Sequence, residues 1–419
     1  MIKHILKIIW TERKSNAWIL LELTLVFCIL WFCTDYLYFN VKRYFDPIGF
    51  NIEHTYRVEI SMKDEGKVIA ASGTDEEKEA LLQDLWTIYD RIKKYPAIEN
   101  LSYSQAAAPY CGGFRSYGYF VDSVQIYSWI KEITPEFFDV FKIHIISGSS
   151  FNDENSATGN VVIISGDRSD KFGQKQVTAV KEIQNFDSTK TNVIGVANKV
   201  KRDEYDDYRM INYYPLKKDD RSIINWREIA VRVKPEADKD FAGKFIKDMR
   251  NQLEIGPYIL TGVIPIEKDR ESYMQWTGNS GKFKSIFSIT SFLIINIFLG
   301  IIGTFWFRTQ SRRGEIGLRI AMGSSRANVQ RMFIGETLLL LFLASILAAV
   351  ICINLSLADI LKDINVPAVG NKVEQVASVR YLINYGFTFL FLALIAILAV
   401  WYPAKKASEV PPAEALHDE

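Results

Sequence analysis

The chain has 419 residues, a formal charge of +1 and four cysteines. Mean hydropathy near zero and so even a charge read, on average, as a soluble protein, and no nucleic-acid partner is expected. The cysteines suggest neither a disulfide framework nor a zinc site: Cys28 and Cys33 share one apolar run, Cys352 lies in another, and Cys111 stands alone in a long polar stretch.

The average hides a partition. A membrane-spanning helix needs about 20 mostly apolar residues. Four windows meet that demand: Ala17–Phe39, Ser285–Phe307, Met332–Leu355 and Tyr381–Tyr402. The expected fold class is therefore membrane α-helical, with four transmembrane helices and a large mixed α+β extracytoplasmic domain between spans one and two. The boundaries read as an N-terminal segment 1–16, span 17–39, domain 40–284, span 285–307, loop 308–331, span 332–355, loop 356–380, span 381–402 and tail 403–419.

Residues 1–16 put Ile2, Ile5, Leu6 and Ile9 on one helical face and Lys3, Lys7 and Lys14 on another. Two readings stand: an amphipathic helix lying on the inner membrane surface, which is favoured, or a basic flank that merely orients span one. Span one is too long for a signal peptide and no small-x-small cleavage site follows. It reads as an uncleaved anchor leaving through an aromatic belt of Trp31, Tyr36, Tyr38 and Phe39.

The 40–284 domain alternates strands and helices. Tyr56–Ile60 is a short strand; Thr74 and Glu77 form a capping box that opens a helix through Leu81, Leu85, Ile88 and Ile92, ending before Pro96. Strand-like alternation fills 117–133. Thr134 and Pro135 then start a short helix. Val161–Ile164, Asn192–Val196 and Ile229–Val233 read as strands, Lys239–Leu253 as a helix and Ile259–Ile266 as a closing strand. The early and late strand–helix–strand units must meet in space, because the chain enters and leaves through adjacent spans. His54 and His144 sit in strand-like surroundings and read as structural. The acidic runs Asp75–Glu79 and Asp203–Asp207 read as solvated faces or helix starts rather than metal sites. No G-x-S-x-G, H-E-x-x-H or Walker-type G-x-x-x-x-G-K-[ST] motif occurs. The chain is not expected to be an enzyme or to bind a cofactor.

Lys and Arg in short loops mark the cytoplasmic side. They dominate the N-terminus, the 308–331 loop and the start of the tail, so both termini are expected inside and the domain outside. The 308–331 loop is too polar to span and too apolar, at Ile316, Leu318, Ile320, Ala321 and Met322, for a bare linker. Helical spacing puts Ile316 and Ile320 on one side, with Arg312, Glu315 and Arg319 as neighbours. Gly323, Ser324 and Ser325 end that helix and cap the next. On the residues alone, such a helix either presents an apolar knob in a basic frame to a soluble partner or dips into the lipid surface.

The spans hold few ionisable residues. Glu22 and Glu336 lie near the cytoplasmic ends of spans one and three. Each either snorkels to the interface or pairs with arginines of the 308–331 loop; pairing is slightly favoured for Glu336. Asn296, Gly300 and Gly303 on span two suit close helix packing, between two chains or within one.

Three segments resemble the MacB/FtsX/LolC-type ABC transporter permeases. The stretch from Arg313 to Arg326 (R-G-E-I-G-L-R-I-A-M-G-S-S-R) resembles that family's R-x-E-I-G-I-R-R-A-L-G-A-S motif. The tail from Tyr402 to Leu416 resembles its P-A-x-x-A-x-x-x-x-P-x-E-A-L ending. Ile133–Phe141, running to Gly148, is similar to the V-T-P-x-Y-F-x-V-x…G segment of its periplasmic core domain. Ile320 departs from a usual second arginine, which trims the basic frame but leaves the knob.

The resemblance implies that Arg312, Arg313, Glu315, Ile316, Gly317, Arg319, Met322, Gly323 and Ser324 form a coupling helix. That helix docks on a separate cytoplasmic ABC ATPase, which holds the ATP and Mg. It implies a second permease chain, identical or a paralogue, contact with membrane lipid, and a periplasmic adaptor or substrate. By the same resemblance the machine would sit in the bacterial inner membrane and export or extract a hydrophobic compound, peptide or lipoprotein. The rival expectation is an FtsX-like regulator of a cell-wall hydrolase or sensor kinase, without transport.

Overall fold

Backbone polar groups inside a bilayer must be satisfied within the chain, which favours helices for the apolar windows. The computed structural model describes residues 13–152, 155, 160–172, 174–357 and 377–409. Most of the N-terminal segment, residues 358–376 of the 356–380 loop and the tail beyond 409 lie outside the described residues. Four of the described helices are long and apolar enough to cross a membrane. The chain divides into two compact bodies, one of residues 43–280 and one assembled from 1–42 and 281–419.

In chain order, α1 (Arg13–Phe45) carries the first apolar window, and the 43–280 body follows. β1 (Thr55–Met62) leads through α2 (Asp64–Ser72) and α3 (Asp75–Lys93) to β2 (Ile98–Gln105). The capping box forms as read: the Glu77 N–H donates to Thr74 Oγ1 and the Thr74 N–H to Glu77 Oε2. Next come β3 (Arg115–Val121), β4 (Val124–Ile133), α4 (Phe137–Phe141), β5 (Ile145–Gly148) and β6 (Val161–Ser165). The short β7 (Lys171–Phe172) and β8 (Lys175–Gln176) precede β9 (Glu182–Gln184), β10 (Lys190–Ala197) and β11 (Ile211–Pro215). β12 (Glu228–Val233), α5 (Phe241–Met249), β13 (Tyr258–Pro265) and α6 (Ile266–Trp276) complete the body.

The early and late units do meet. β1 pairs antiparallel with both β12 and β13, and β12 with β2. Leu81, Leu85, Ile88 and Ile92 of α3 and Phe241 and Phe245 of α5 cover this sheet in one apolar core. From β4 the sheet continues β4–β3–β9–β10–β6–β11, with β5 paired to β10 off this path and β7–β8 a separate two-stranded sheet, and β11 pairs back onto β4 in parallel. Closing the ring removes open edges that would otherwise invite pairing with other chains. Tyr119, Ile126, Val162, Ile164 and Val196 fill it. β6 is apolar without alternation because Val162 and Ile164 face this interior while Val161 and Ile163 join a third core around Phe137, Phe141 and Tyr213.

Two local readings change. Thr134 does not cap α4 with its side chain; its hydroxyl accepts the Tyr103 N–H at 3.2 Å and ties the helix to β2. The run Asp203–Asp207 is not a solvated face: Asp203 is buried, and Glu204 and Asp207 pair with arginines.

The second body holds α7 (Asn279–Ser311), α8 (Arg313–Ala321), α9 (Arg326–Leu357) and α10 (Ala377–Ser408) as well as most of α1. Its core comes mainly from α1, α9 and α10, including Leu23, Phe27, Leu340, Ala344, Ala396 and Ala399. α7 contributes little and leaves Phe287, Phe292 and Leu299 exposed. Trp31, expected in an interfacial belt, is buried instead, against Tyr381 and Tyr385. Asn384 donates to its carbonyl at 3.1 Å. Asp35, one turn on, is buried as well.

Phe245 is fully buried between α5 and the sheet. Phe245→Ala should cost about 3–5 kcal/mol by leaving a cavity. Hydrogen exchange of the β1 and β12 amides in the full-length chain should accelerate accordingly; unchanged exchange would show that this core does not hold the sheet.

Candidate functional site

The short helix between the second and third spans gathers most of the charged residues singled out by sequence. α7 stops at Ser311 because Arg312 leaves helical geometry (φ −110°, ψ 21°), and α8 starts at Arg313. Glu315 lies in the first turn, where the helix dipole favours an anion. It also sits three residues after Arg312 and four before Arg319, within reach of both.

A single chain of ion pairs results. Arg319 Nη2 lies 2.7 Å from Glu315 Oε1, and Arg312 Nε 2.8 Å from Glu315 Oε2. Arg312 Nη1 then reaches Glu336 Oε2 on α9 at 3.0 Å. The Arg312 side chain is only 7% exposed and that of Glu336 1%. Burial works to raise the Glu315 pKa, but the two guanidiniums outweigh it and hold the carboxyl below its ordinary range. Arg312 also lies over the Phe333 ring, 5.4 Å from its centroid. The network fastens α8 to the first turns of α9.

Ile316, read as the presented knob, turns the other way. It is 2% exposed and packs with Val329 and Phe333 in the bundle core. Helical geometry explains this: the face that puts Arg312 against Glu336 also carries Ile316 inward, one turn on. Gly317 is buried beside it. The large apolar side chains that α8 and its C-cap leave open are Leu318, 50% exposed, and Met322, 71% exposed.

The end of α8 is a Schellman motif. The Ser324 N–H donates to the Arg319 carbonyl at 2.9 Å and the Gly323 N–H to the Ile320 carbonyl at 3.0 Å. Gly323 has φ +95°, a conformation that side-chain-bearing residues rarely adopt. Ser325 then caps α9, its Oγ accepting the Asn328 N–H at 3.3 Å.

The Arg313 side chain lies outside the described residues. Glu22 is brought to no arginine among the described residues; it faces α7, where a β-carbon on Gly300 would lie 3.0 Å from its Oε1. The end of α10 also joins this region, with Gln330 Nε2 3.2 Å from Ser408 Oγ. Periodicity found the charged partners, but not Leu318, Phe333 or the Gln330–Ser408 contact, since those depend on how separate helices pack. No group of three or more His, Cys, Asp or Glu able to hold a metal occurs among the described residues.

Removing one member of a buried ion pair typically costs about 3–5 kcal/mol, whereas replacing both by apolar residues is often neutral. Arg312→Met should therefore lower resistance of the full-length chain to SDS unfolding, and Arg312→Met/Glu336→Leu should recover most of it. A double variant no more stable than the single one would contradict the pairing.

Comparison with known proteins agrees with this layout. The FtsX-like permease C-terminal family matches residues 287–412. The MacB-like periplasmic core domain matches residues 48–247. The macrolide export ATP-binding/permease protein MacB of Escherichia coli is 24% identical over 301 residues, covering 69% of this chain and 43% of that protein. The lipoprotein-releasing system transmembrane protein LolC of Haemophilus influenzae is 28% identical over 133 residues, 31% of this chain and 33% of LolC. The chain thus spans less than half the length of these curated relatives. The solved periplasmic region of MacB from Actinobacillus actinomycetemcomitans overlaps 55% of this chain and 96% of that one, at 12% identity and a TM-score of 0.34. So loose an overlap carries none of the assignment, which rests on the two families and the sequence relatives. The chain thus carries an FtsX-like permease C-terminal domain and, between its first and second spans, a MacB-like periplasmic core domain, and it is homologous to MacB and LolC.

Proposed function

We propose that this chain is the permease subunit of an ABC machine that carries ATP-driven motion from a separate cytoplasmic ATPase to its periplasmic domain. The ion-pair chain Arg319–Glu315–Arg312–Glu336 carries this reading. It fastens a short helix to the third span on one side, while Leu318 and Met322 stay open on the other. A force applied to those two side chains would pass into α9 through buried, directional bonds rather than through a flexible loop.

The Lys and Arg bias supports placing both termini and α8 in the cytoplasm and the 43–280 body outside. The exposed face of α7 offers Phe287, Phe292, Asn296 and Leu299 to lipid or to a second permease chain, identical or paralogous. ATP and Mg belong to the ATPase in this scheme. The relatives' names point to macrolide export for MacB and lipoprotein release for LolC. For this chain the matching substrate class is a hydrophobic compound, peptide or lipoprotein handled at the outer face.

Co-purification from native membranes tests the docking surface. An ATPase should accompany the full-length chain, and Leu318→Asp and Met322→Asp should each reduce its recovery by about tenfold or more, the effect of losing an interface anchor. Ile316→Val, a small change in the bundle core, should leave recovery near normal. Wild-type recovery with both aspartate variants would rule out this face of α8.

A further inference from the structure

The acidic run Asp203–Asp207 belongs to a loop that binds both ends of the periplasmic domain. Its centre is Lys201, which is 2% exposed. The ammonium donates to three backbone carbonyls: those of Arg43, Asp46 (3.1 Å) and Glu204 (3.1 Å). Burial pushes the Lys201 pKa below that of an ordinary lysine. The Arg43 carbonyl is one of the last in α1, where no intrahelical N–H is available and the helix dipole is negative. Lys201 therefore caps α1 from far along the chain.

Further bonds hold the segment that follows α1. The Lys201 N–H donates to the Ile48 carbonyl at 2.9 Å, and the Tyr208 hydroxyl to the Pro47 carbonyl at 2.6 Å. Arg168 bridges Asp46 (2.7 Å) and Asp207 (2.9 Å), and Arg43 lies 3.5 Å from Asp207. The Tyr44 and Tyr205 rings pack at 5.6 Å. The loop is itself stiffened by Asp203, whose Oδ1 accepts the Tyr205 and Asp206 N–H groups at 2.8 and 2.9 Å.

The other side of the loop grips α6, the helix through which the chain leaves the domain. Glu204 Oε1 accepts from Arg270 Nε at 2.5 Å and from the Tyr110 hydroxyl at 3.0 Å. All these groups lie within the 43–280 body. Burying an ammonium costs more than burying an apolar side chain of similar size, so stability alone does not call for a lysine here. Directional bonds to specific carbonyls do something that apolar packing cannot: they set one geometry between the segment 43–48 and α6, both inside this body.

We propose that the loop 201–208 is a joint that makes the incoming and outgoing segments of the domain move as one, with Lys201 as its positioning residue. The inference rests on the motion-transmitting function proposed above. Its test uses the full-length chain in lipid nanodiscs with the ATPase that co-purifies. Hydrogen exchange over residues 258–276 is compared without nucleotide and with ATP plus vanadate. The wild type should show a nucleotide-dependent change. In Lys201→Met that change should fall below about one-fifth, as expected when a coupling element is cut. ATPase recovery, basal hydrolysis and nucleotide-free exchange of β1 and β12 should stay at wild-type levels, which a merely structural loss would not allow. Arg270→Gln, at a more exposed position, cuts the same joint from the α6 side and decides the matter if Lys201→Met fails to fold. A wild-type response in the folded variants, or no response in the wild type itself, overturns the joint. Failure to recover any ATPase would instead count against the docking function.

Discussion

A buried guanidinium next to a buried carboxylate is the constraint on which the helical body turns. Arg312 and Glu336 meet at 3.0 Å, and removing one member of such a buried pair is strongly destabilising. Their pairing decides where α7 must stop, because Arg312 has to leave the helix to reach α9. It also decides which face α8 turns inward. Ile316 follows Arg312 by one turn and is carried into the core, and Leu318 and Met322 are left outside. Gly323 then ends the helix in a conformation that suits glycine, and Ser325 starts the next. One ion pair thus orders a polar loop of the kind that usually only connects two spans.

The periplasmic body solves a different problem. Its chain must begin and end close together while enclosing several cores. β1 achieves this by pairing with β12 on one side and β13 on the other, so the first and last strands share one sheet. The closed ring completed by β11 on β4 buries the middle of the sequence without leaving a sheet edge open there. Apolar contacts supply most of the stability of both parts. Beside the buried Asp35 and Arg232, two groups of buried charge stand out, at the α8–α9 contact and in the 201–208 loop. At both, a charged side chain makes bonds of fixed direction to an element far away in sequence. That division is physically sensible, since apolar surfaces are non-directional and can slide, whereas a charged hydrogen bond is lost if its partners shift.

Much of this was legible in the residues. The four apolar windows, the capping box at Thr74 and Glu77, most strands of the domain, and the charged spacing of Arg312, Glu315 and Arg319 all follow from local periodicity, which the helix or strand must obey wherever it ends up. The same holds for Gly323, because a helix ending in G-S-S has few other conformations open to it. The resemblance to the permease families also rested on short contiguous motifs.

What local pattern could not settle was direction. Ile316 and Leu318 are both apolar, and only the packing of α8 into the helical body makes one of them core and the other surface. Trp31 suits a membrane interface by composition, yet Tyr381, Tyr385 and Asn384 draw it inward from a helix some 350 residues away in sequence. The run Asp203–Asp207 looks solvated until Arg43, Arg168 and Arg270 are brought around it. By itself, then, the sequence determined the helices, strands, caps and spans, since these depend on neighbours within a few residues. Which side of each element is buried, and which charges find partners, was decided only by tertiary structure, because burial and ion pairing are properties of residues that meet in space.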